Sequence, residues 1–207
     1  MFISFEGIDG SGKSTQLTLL KDVLEDRGLR TLTVREPGAT VLSEEIRSIL
    51  LSNKQSITST AELLLFNAAR AQLVERVIVP ALEREEIVLC DRYSDSTTAY
   101  QGYGRQLDLA EVQTCNNIAT RGIMPLVTFF IDVPYEAAQQ RLSFHTTSGG
   151  PDRMERSGPE FFDRVRAGYL AIAAAEPHRF HVIDGVRDRD VIHADIVGIV
   201  NAALSAS

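Results

Sequence analysis

The stretch Gly7-Ile8-Asp9-Gly10-Ser11-Gly12-Lys13-Ser14-Thr15 fits G-x-x-x-x-G-K-[ST], the pattern of a phosphate-binding loop. Its surroundings match what such a loop needs. Met1-Phe2-Ile3-Ser4-Phe5 reads as a short apolar strand. After the loop, Leu17, Leu20, Val23 and Leu24 recur at helical spacing, with Gly28 as a C-terminal stop. Glycines let main-chain N–H groups curl round a polyphosphate, and the N-terminus of the following helix favours an anion. Lys13 is placed to reach the β- and γ-phosphates, and the Ser14 hydroxyl to ligate Mg²⁺. Gly7, Ile8, Asp9, Gly10, Ser11, Gly12, Lys13, Ser14 and Thr15 together imply a nucleoside-triphosphate site.

Outward from the loop, strand and helix patterns alternate. The spacing predicts strands over 29–35, 87–90, 126–133 and 181–184. It predicts helices over 40–51, 60–79, 109–121, 161–175 and 190–204, with another opening over 135–141, and Pro80 ending or kinking the second. This alternation implies an α/β fold: a parallel sheet covered on both faces by helices, with ligands at the carboxyl ends of the strands. Residues 143–160 change character to Ser, Thr, Gly, Pro and charge, and read as a small mobile lid within one domain spanning 1–207.

A chain of 207 residues, 44% hydrophobic, is long enough for one well-buried α/β domain. The first apolar run is too short for a signal peptide, and no stretch approaches the roughly 18 apolar residues of a membrane helix. Cys90 and Cys115 form no metal or disulfide pattern, so a reducing cytoplasm is the expected setting. His145, His178, His181 and His193 show no ligand cluster. A net charge of −7 argues against a nucleic-acid duplex as partner, and requires any phosphate site to be built locally from placed arginines.

The loop alone fixes a ligand class, not an activity. A regulatory GTPase needs Asn-Lys-x-Asp to read guanine; Asn53-Lys54-Gln55-Ser56 lacks the carboxylate. Three other stretches point to a small phosphoryl acceptor: Arg35-Glu36-Pro37-Gly38, Phe66-Asn67-Ala68-Ala69-Arg70, and the run from Asp91-Arg92-Tyr93 through Gln101-Gly102. With the phosphate loop and the later Asp152-Arg153-Met154-Glu155 and Phe161-Phe162-Asp163-Arg164, this set resembles the bacterial thymidylate kinase family over essentially the whole chain.

The resemblance implies the P-loop nucleoside monophosphate kinase fold and a homodimer. It implies transfer of a phosphoryl group from ATP, with Mg²⁺, to dTMP. It places Phe66 under the pyrimidine and Arg70 on a thymine carbonyl. It puts Arg92 and Arg47 on the acceptor phosphate and Glu36 and Pro37 on the wall. Thr97 and Gln101 then meet the base edge with Ser96 beside them, Tyr100 lies under the sugar, and Asp9 meets the 3′-hydroxyl. Arg35 is divided between supporting the loop and touching ligand. Asp91 is the Mg²⁺ carboxylate, with Asp132 a rival. The chain departs from the pattern at Gly10, where some members carry an arginine, and between 143 and 151, where others carry lid arginines. Arg153 is then the transition-state arginine of choice, with Arg156 and Arg141 behind it; Arg141 could instead stack on adenine. Another nucleoside monophosphate kinase, a deoxynucleoside kinase and a non-catalytic nucleotide switch are the competing readings.

Overall fold

The computed structural model describes residues 1–54, 56–143 and 153–205. Five strands form one sheet: β1 (Phe2–Glu6), β2 (Thr31–Arg35), β3 (Ile87–Asp91), β4 (Val127–Asp132) and β5 (Phe180–Asp184). All pairings are parallel and the order is β2-β3-β1-β4-β5. The central strands β1, β3 and β4 are nearly continuous apolar runs because helices bury both of their faces. Alternation then divides each strand between two layers. Ile3, Phe5 and Leu89 pack against Leu20 and Leu24 of α1 (Lys13–Asp26), whereas Phe2, Val88 and Cys90 pack against Leu73, Val74 and Ile78 on the other face.

α2 (Val41–Leu51) and α3 (Ser59–Leu73) are capped by Thr40 and Thr58, whose hydroxyls accept from the N–H groups of Ser43 and Ala61. Pro80 does not end the long helix. A π-helical turn over Val74–Ile78 carries α3 into α4 (Val79–Glu83), with Val79 N–H reaching back to Val74 O. The wide turn precedes the point where an α-helix would need a proline N–H, so helical structure continues through Pro80. The segment after β3 is also helical, as α5 (Ser94–Thr97) and a π turn over Thr98–Gly104. The remaining helices are α6 (Leu109–Thr120), α7 (Tyr135–Ser143), α8 (Pro159–Ala175) and α9 (Arg189–Ser205). Of the expected lid, residues 144–152, with His145 and Asp152, lie outside the described residues; a short 3₁₀ turn over Glu155–Ser157 leads into α8.

Relative to β1 the chain builds first one side of the sheet and then the other: β2 and β3 lie on one side, and the crossover after β3 passes β1 to reach β4 on the other. The crevice at the carboxyl ends of β1 and β3 is therefore the switch point where ligands bind in open α/β sheets. The phosphate loop follows β1 and the Asp91-Arg92-Tyr93 turn follows β3, so both open onto it.

Candidate active site

The loop from Gly7 to Gly12 curls at the end of β1, and Gly12 takes the left-handed conformation (φ 97°) at the N-cap of α1, where a side chain would be strained. Lys13 opens the helix with its side chain buried. The Ser11 hydroxyl is buried without a partner, a polar atom left for something the loop would hold. Arg141 on α7 donates to Ser11 O at 3.2 Å and to Gly185 O at 2.9 Å, bracing the loop from behind.

Gly10 explains the missing loop arginine. A Cβ there would stand 2.5 Å from Ala138 O and 3.0 Å from Leu142 Cγ, so α7 occupies the space a side chain needs. The backbone at Gly10 is also left-handed, with φ 81°.

Ser14 Oγ donates to Asp91 Oδ2 at 2.6 Å, bringing a hydroxyl from α1 and a carboxylate from the end of β3 to one point. Two hard oxygen donors suit Mg²⁺, which keeps much of its shell as water and phosphate oxygens. Among the described residues, no cluster of three or more His, Cys, Asp or Glu offers a fuller cage. Asp132, the rival carboxylate, is instead clasped by Arg166 at 2.6 and 2.8 Å.

Next to the loop lies a cavity of about 600 Å³. Glu36, Pro37, Arg47, Phe66, Arg70, Arg92, Ser96, Thr97, Tyr100 and Gln101 all line it, with Asp9 at the loop side and Leu51 and Met154 completing the wall. These residues come from the loop after β2, from α2 and α3, and from the segment after β3, so the sheet order gathers motifs that the sequence keeps apart. Every residue expected on the acceptor side is in this wall.

Arg92 is held in an uncommon way. Its φ of 72° is left-handed, which costs about 1–3 kcal/mol for a residue with a side chain. Two bonds to β1 impose it: Arg92 N–H donates to Phe5 O at 2.9 Å, and Tyr93 N–H to Glu6 Oε1 at 2.7 Å. The turn aims the guanidinium at Asp9 Oδ1, 2.8 Å away, and over the Tyr100 ring at 5.1 Å. Lys13 Nζ reaches the same Asp9 oxygen at 3.0 Å. Burial works against the Asp9 charge, but Lys13 and Arg92 hold its carboxyl far below the usual carboxylate range.

Glu6 and Glu62 are functional neighbours that the sequence reading missed. Glu6 is fully buried; its Oε2 accepts from Ser96 Oγ at 2.5 Å and Tyr169 Oη at 2.9 Å. Burial and the Asp95 charge push its carboxyl up to about 8, against the pull of Ser96, Arg92 and Tyr169. The one visible signal is a carboxylate ending an otherwise apolar strand. Glu62 lies one helical turn before Phe66 and gathers Gln101, Arg105 and Arg153.

Arg70 and Arg153 are engaged differently from expectation. Arg70 is buried, and its donors go to Glu36, Asn67, Asn116 and the Tyr93 carbonyl. It shapes the cavity floor through protein partners. Arg153 donates to Leu50 O at 2.7 Å and to Glu62 at 2.5 Å; these contacts hold it on α2 and α3 and do not bring it to Lys13 or Arg92. Arg47 donates to Pro37 O at 3.1 Å on the cavity rim. Arg35 donates to Glu44 through two 3.0 Å bonds.

Sheet order, phosphate loop and the adjoining cavity define a P-loop α/β protein with the layout of the nucleoside monophosphate kinases. A family model described as thymidylate kinase matches residues 5–196. Thymidylate kinase of Chlorobaculum parvum is 50% identical over 208 residues, covering 98% of this chain and 96% of that one. That of Thermosipho africanus is 47% identical over 206 residues, covering all of both. A crystal structure of thymidylate kinase from Ehrlichia chaffeensis superposes with a TM-score of 0.77 at 37% identity, over 97% of this chain and 98% of that one. The chain belongs to the thymidylate kinase family.

Proposed function

We infer that this enzyme transfers the γ-phosphoryl group of ATP to the phosphate of dTMP, giving ADP and dTDP. The observation that carries the reading is the meeting of Lys13, from the phosphate loop, and Arg92, from the cavity, on the single carboxylate oxygen of Asp9. A donor phosphate cradled by the loop and an acceptor phosphate gripped by Arg92 would then lie end to end. The acceptor oxygen is largely ionised near neutral pH, since its second pKa is about 6, so no general base is required. The work left to the protein is to align two repelling anions and offset their charge. Lys13 would do this from the donor side and Arg92, as a fork matched to phosphate, from the acceptor side. Ser14 and Asp91 would hold Mg²⁺, whose charge offsets that of the triphosphate.

The base end of the cavity supports a pyrimidine deoxynucleotide. Phe66 offers an aromatic face, Thr97 and Gln101 polar edges, and Tyr100 a bulky floor where a ribose 2′-hydroxyl would need room. Asp9 is within the same wall for the 3′-hydroxyl. Preference over dUMP rests on one methyl group, about 1–3 kcal/mol, and should be graded. A homodimer is supported by exposed apolar side chains on neighbouring helices, Leu64 on α3 and Ile118 on α6. Free Cys90 and Cys115, together with described helices too short or too polar to cross a membrane, support a cytoplasmic enzyme.

A coupled ADP-release assay with ATP and dTMP, dUMP, UMP, CMP, AMP or thymidine tests the reading. We expect dTMP to have the highest kcat/KM, dUMP to follow, and thymidine to be inert. Thymidine turning over faster than dTMP would remove the phosphate-acceptor role of Arg92.

A further inference from the structure

Glu62 is fully buried on α3 and receives hydrogen bonds from three places: Gln101 Nε2 at 2.7 Å, Arg105 Nε and Nη2 at 3.1 and 3.3 Å, and Arg153 Nη1 at 2.5 Å. Burial disfavours its charge, but the donors from Arg105, Gln101 and Arg153 outweigh that and keep its carboxyl below the ordinary value. An ionised carboxylate has lone pairs and no proton, so it accepts only. The side-chain amide of Gln101 must therefore turn its NH₂ toward Glu62. No hydrogen bond of the described residues ends on Gln101 Oε1, and Gln101 lines the acceptor cavity.

We propose that Glu62 is a specificity-determining residue that never touches the nucleotide: it fixes the hydrogen-bond sense of Gln101, so that the base wall of the cavity presents an acceptor. The inference rests on the proposed seating of the pyrimidine beside Phe66. Thymine and uracil carry an N–H at position 3, between two carbonyls, and pair with such an acceptor. Cytosine has a bare lone pair there, so two acceptors would face each other in a desolvated site. Leaving polar groups unpaired in that way is how pockets reject near-isosteres. Glu62 also ties the choice of base to Arg153, the first described residue after 144–152, because both arginines keep the carboxylate ionised.

The test is calorimetric binding of dTMP and dCMP to the wild-type enzyme, E62Q and Q101M, each checked for an intact melting transition. In E62Q the new amide gives its oxygen to Arg105 and Arg153 and its NH₂ to Gln101, whose carbonyl then turns inward and whose NH₂ faces the cavity. We expect the ratio of dCMP to dTMP dissociation constants to fall by about tenfold or more in E62Q. A merely structural role would weaken both nucleotides alike, and a ratio within about threefold of wild type overturns the role of Glu62. Q101M should weaken dTMP and lose most of the discrimination. If it changes neither affinity, the base is seated elsewhere, and the seating fails along with the inference. Should E62Q not fold, the wild-type crystal structure with dTMP decides. Gln101 bridging the Glu62 carboxylate and the base N–H supports the proposal; a base edge out of reach of Gln101 overturns it.

Discussion

Lys13 and Arg92 converge on one atom, Asp9 Oδ1, at 3.0 and 2.8 Å, although one belongs to the loop after β1 and the other to the turn after β3. That shared oxygen sets the spacing between the loop lysine and the arginine of the β3 turn. Because both charges hold Asp9 ionised well below neutrality, the clasp persists at any working pH.

Removing the clasp should therefore damage alignment. We expect D9A to lower kcat/KM for dTMP by about 10²-fold, the scale of misplaced reacting groups. Steady-state kinetics with dTMP varied at saturating ATP checks this; a loss under about threefold would mean that Lys13 and Arg92 are positioned independently.

The Ser14–Asp91 contact predicts a metal phenotype. D91N should raise the Mg²⁺ concentration for half-maximal activity by about 10- to 100-fold, as loss of an oriented ligand does, with activity recovering at high Mg²⁺. A Mg²⁺ titration of the variant against wild type reads it directly. An unchanged midpoint would return the role to another carboxylate.

Arg153 separates sequence expectation from structure. As a transition-state arginine, its loss would cost about 10³-fold in kcat. Its guanidinium is instead committed to Leu50 O and Glu62. We expect R153A to lower kcat by less than about tenfold and R92A by about 10³-fold or more, measured side by side at saturating ATP. The reverse ranking would show that the 153 region swings onto the phosphates during turnover.

Glu6 predicts a pH dependence. An acid whose pKa rises on folding, here from 4.5 to about 8, binds its proton more tightly in the fold. Its stabilising contribution is complete below the unfolded value and drains away as pH climbs through about 8. Around it, Glu36 beside Arg70 and Asp9 beside Arg92 favour the charged guanidinium against burial, and burial pushes the Tyr100 and Tyr169 hydroxyls up, so these four groups keep their charge state across that window. The stability of wild type relative to E6Q should fall by a few kcal/mol between pH 5 and pH 8. Denaturant melts across that range check it, and a difference independent of pH would show Glu6 ionised throughout.

The parts legible in the sequence are those whose chemistry is written locally. The phosphate loop spells its own turn, and Phe66, Arg92 and Gln101 sit in short runs whose spacing survives folding unchanged. Glu62, Asn116 and Arg179 carry no such mark, since each acquires meaning from partners far along the chain: Glu62 from Arg153, Asn116 from Arg70, Arg179 from a buried pair of hydrogen bonds it donates to Asp95. Of the two outcomes expected at Pro80, an ended helix or a kinked one, the ending does not occur, for a related reason. A proline normally closes a helix, and the wide turn that lets the helix continue depends on packing of Val74 and Ile78 in the core, which local propensity does not encode.

Ala138 O lies where a side chain at position 10 would begin, so the phosphate loop and α7 are interlocked although more than a hundred residues separate them. Neither can be redrafted alone. A graft of residues 7–15 from a relative bearing an arginine at that point would have to bring its own version of 135–143, and the pair should travel through the family as one inherited cassette.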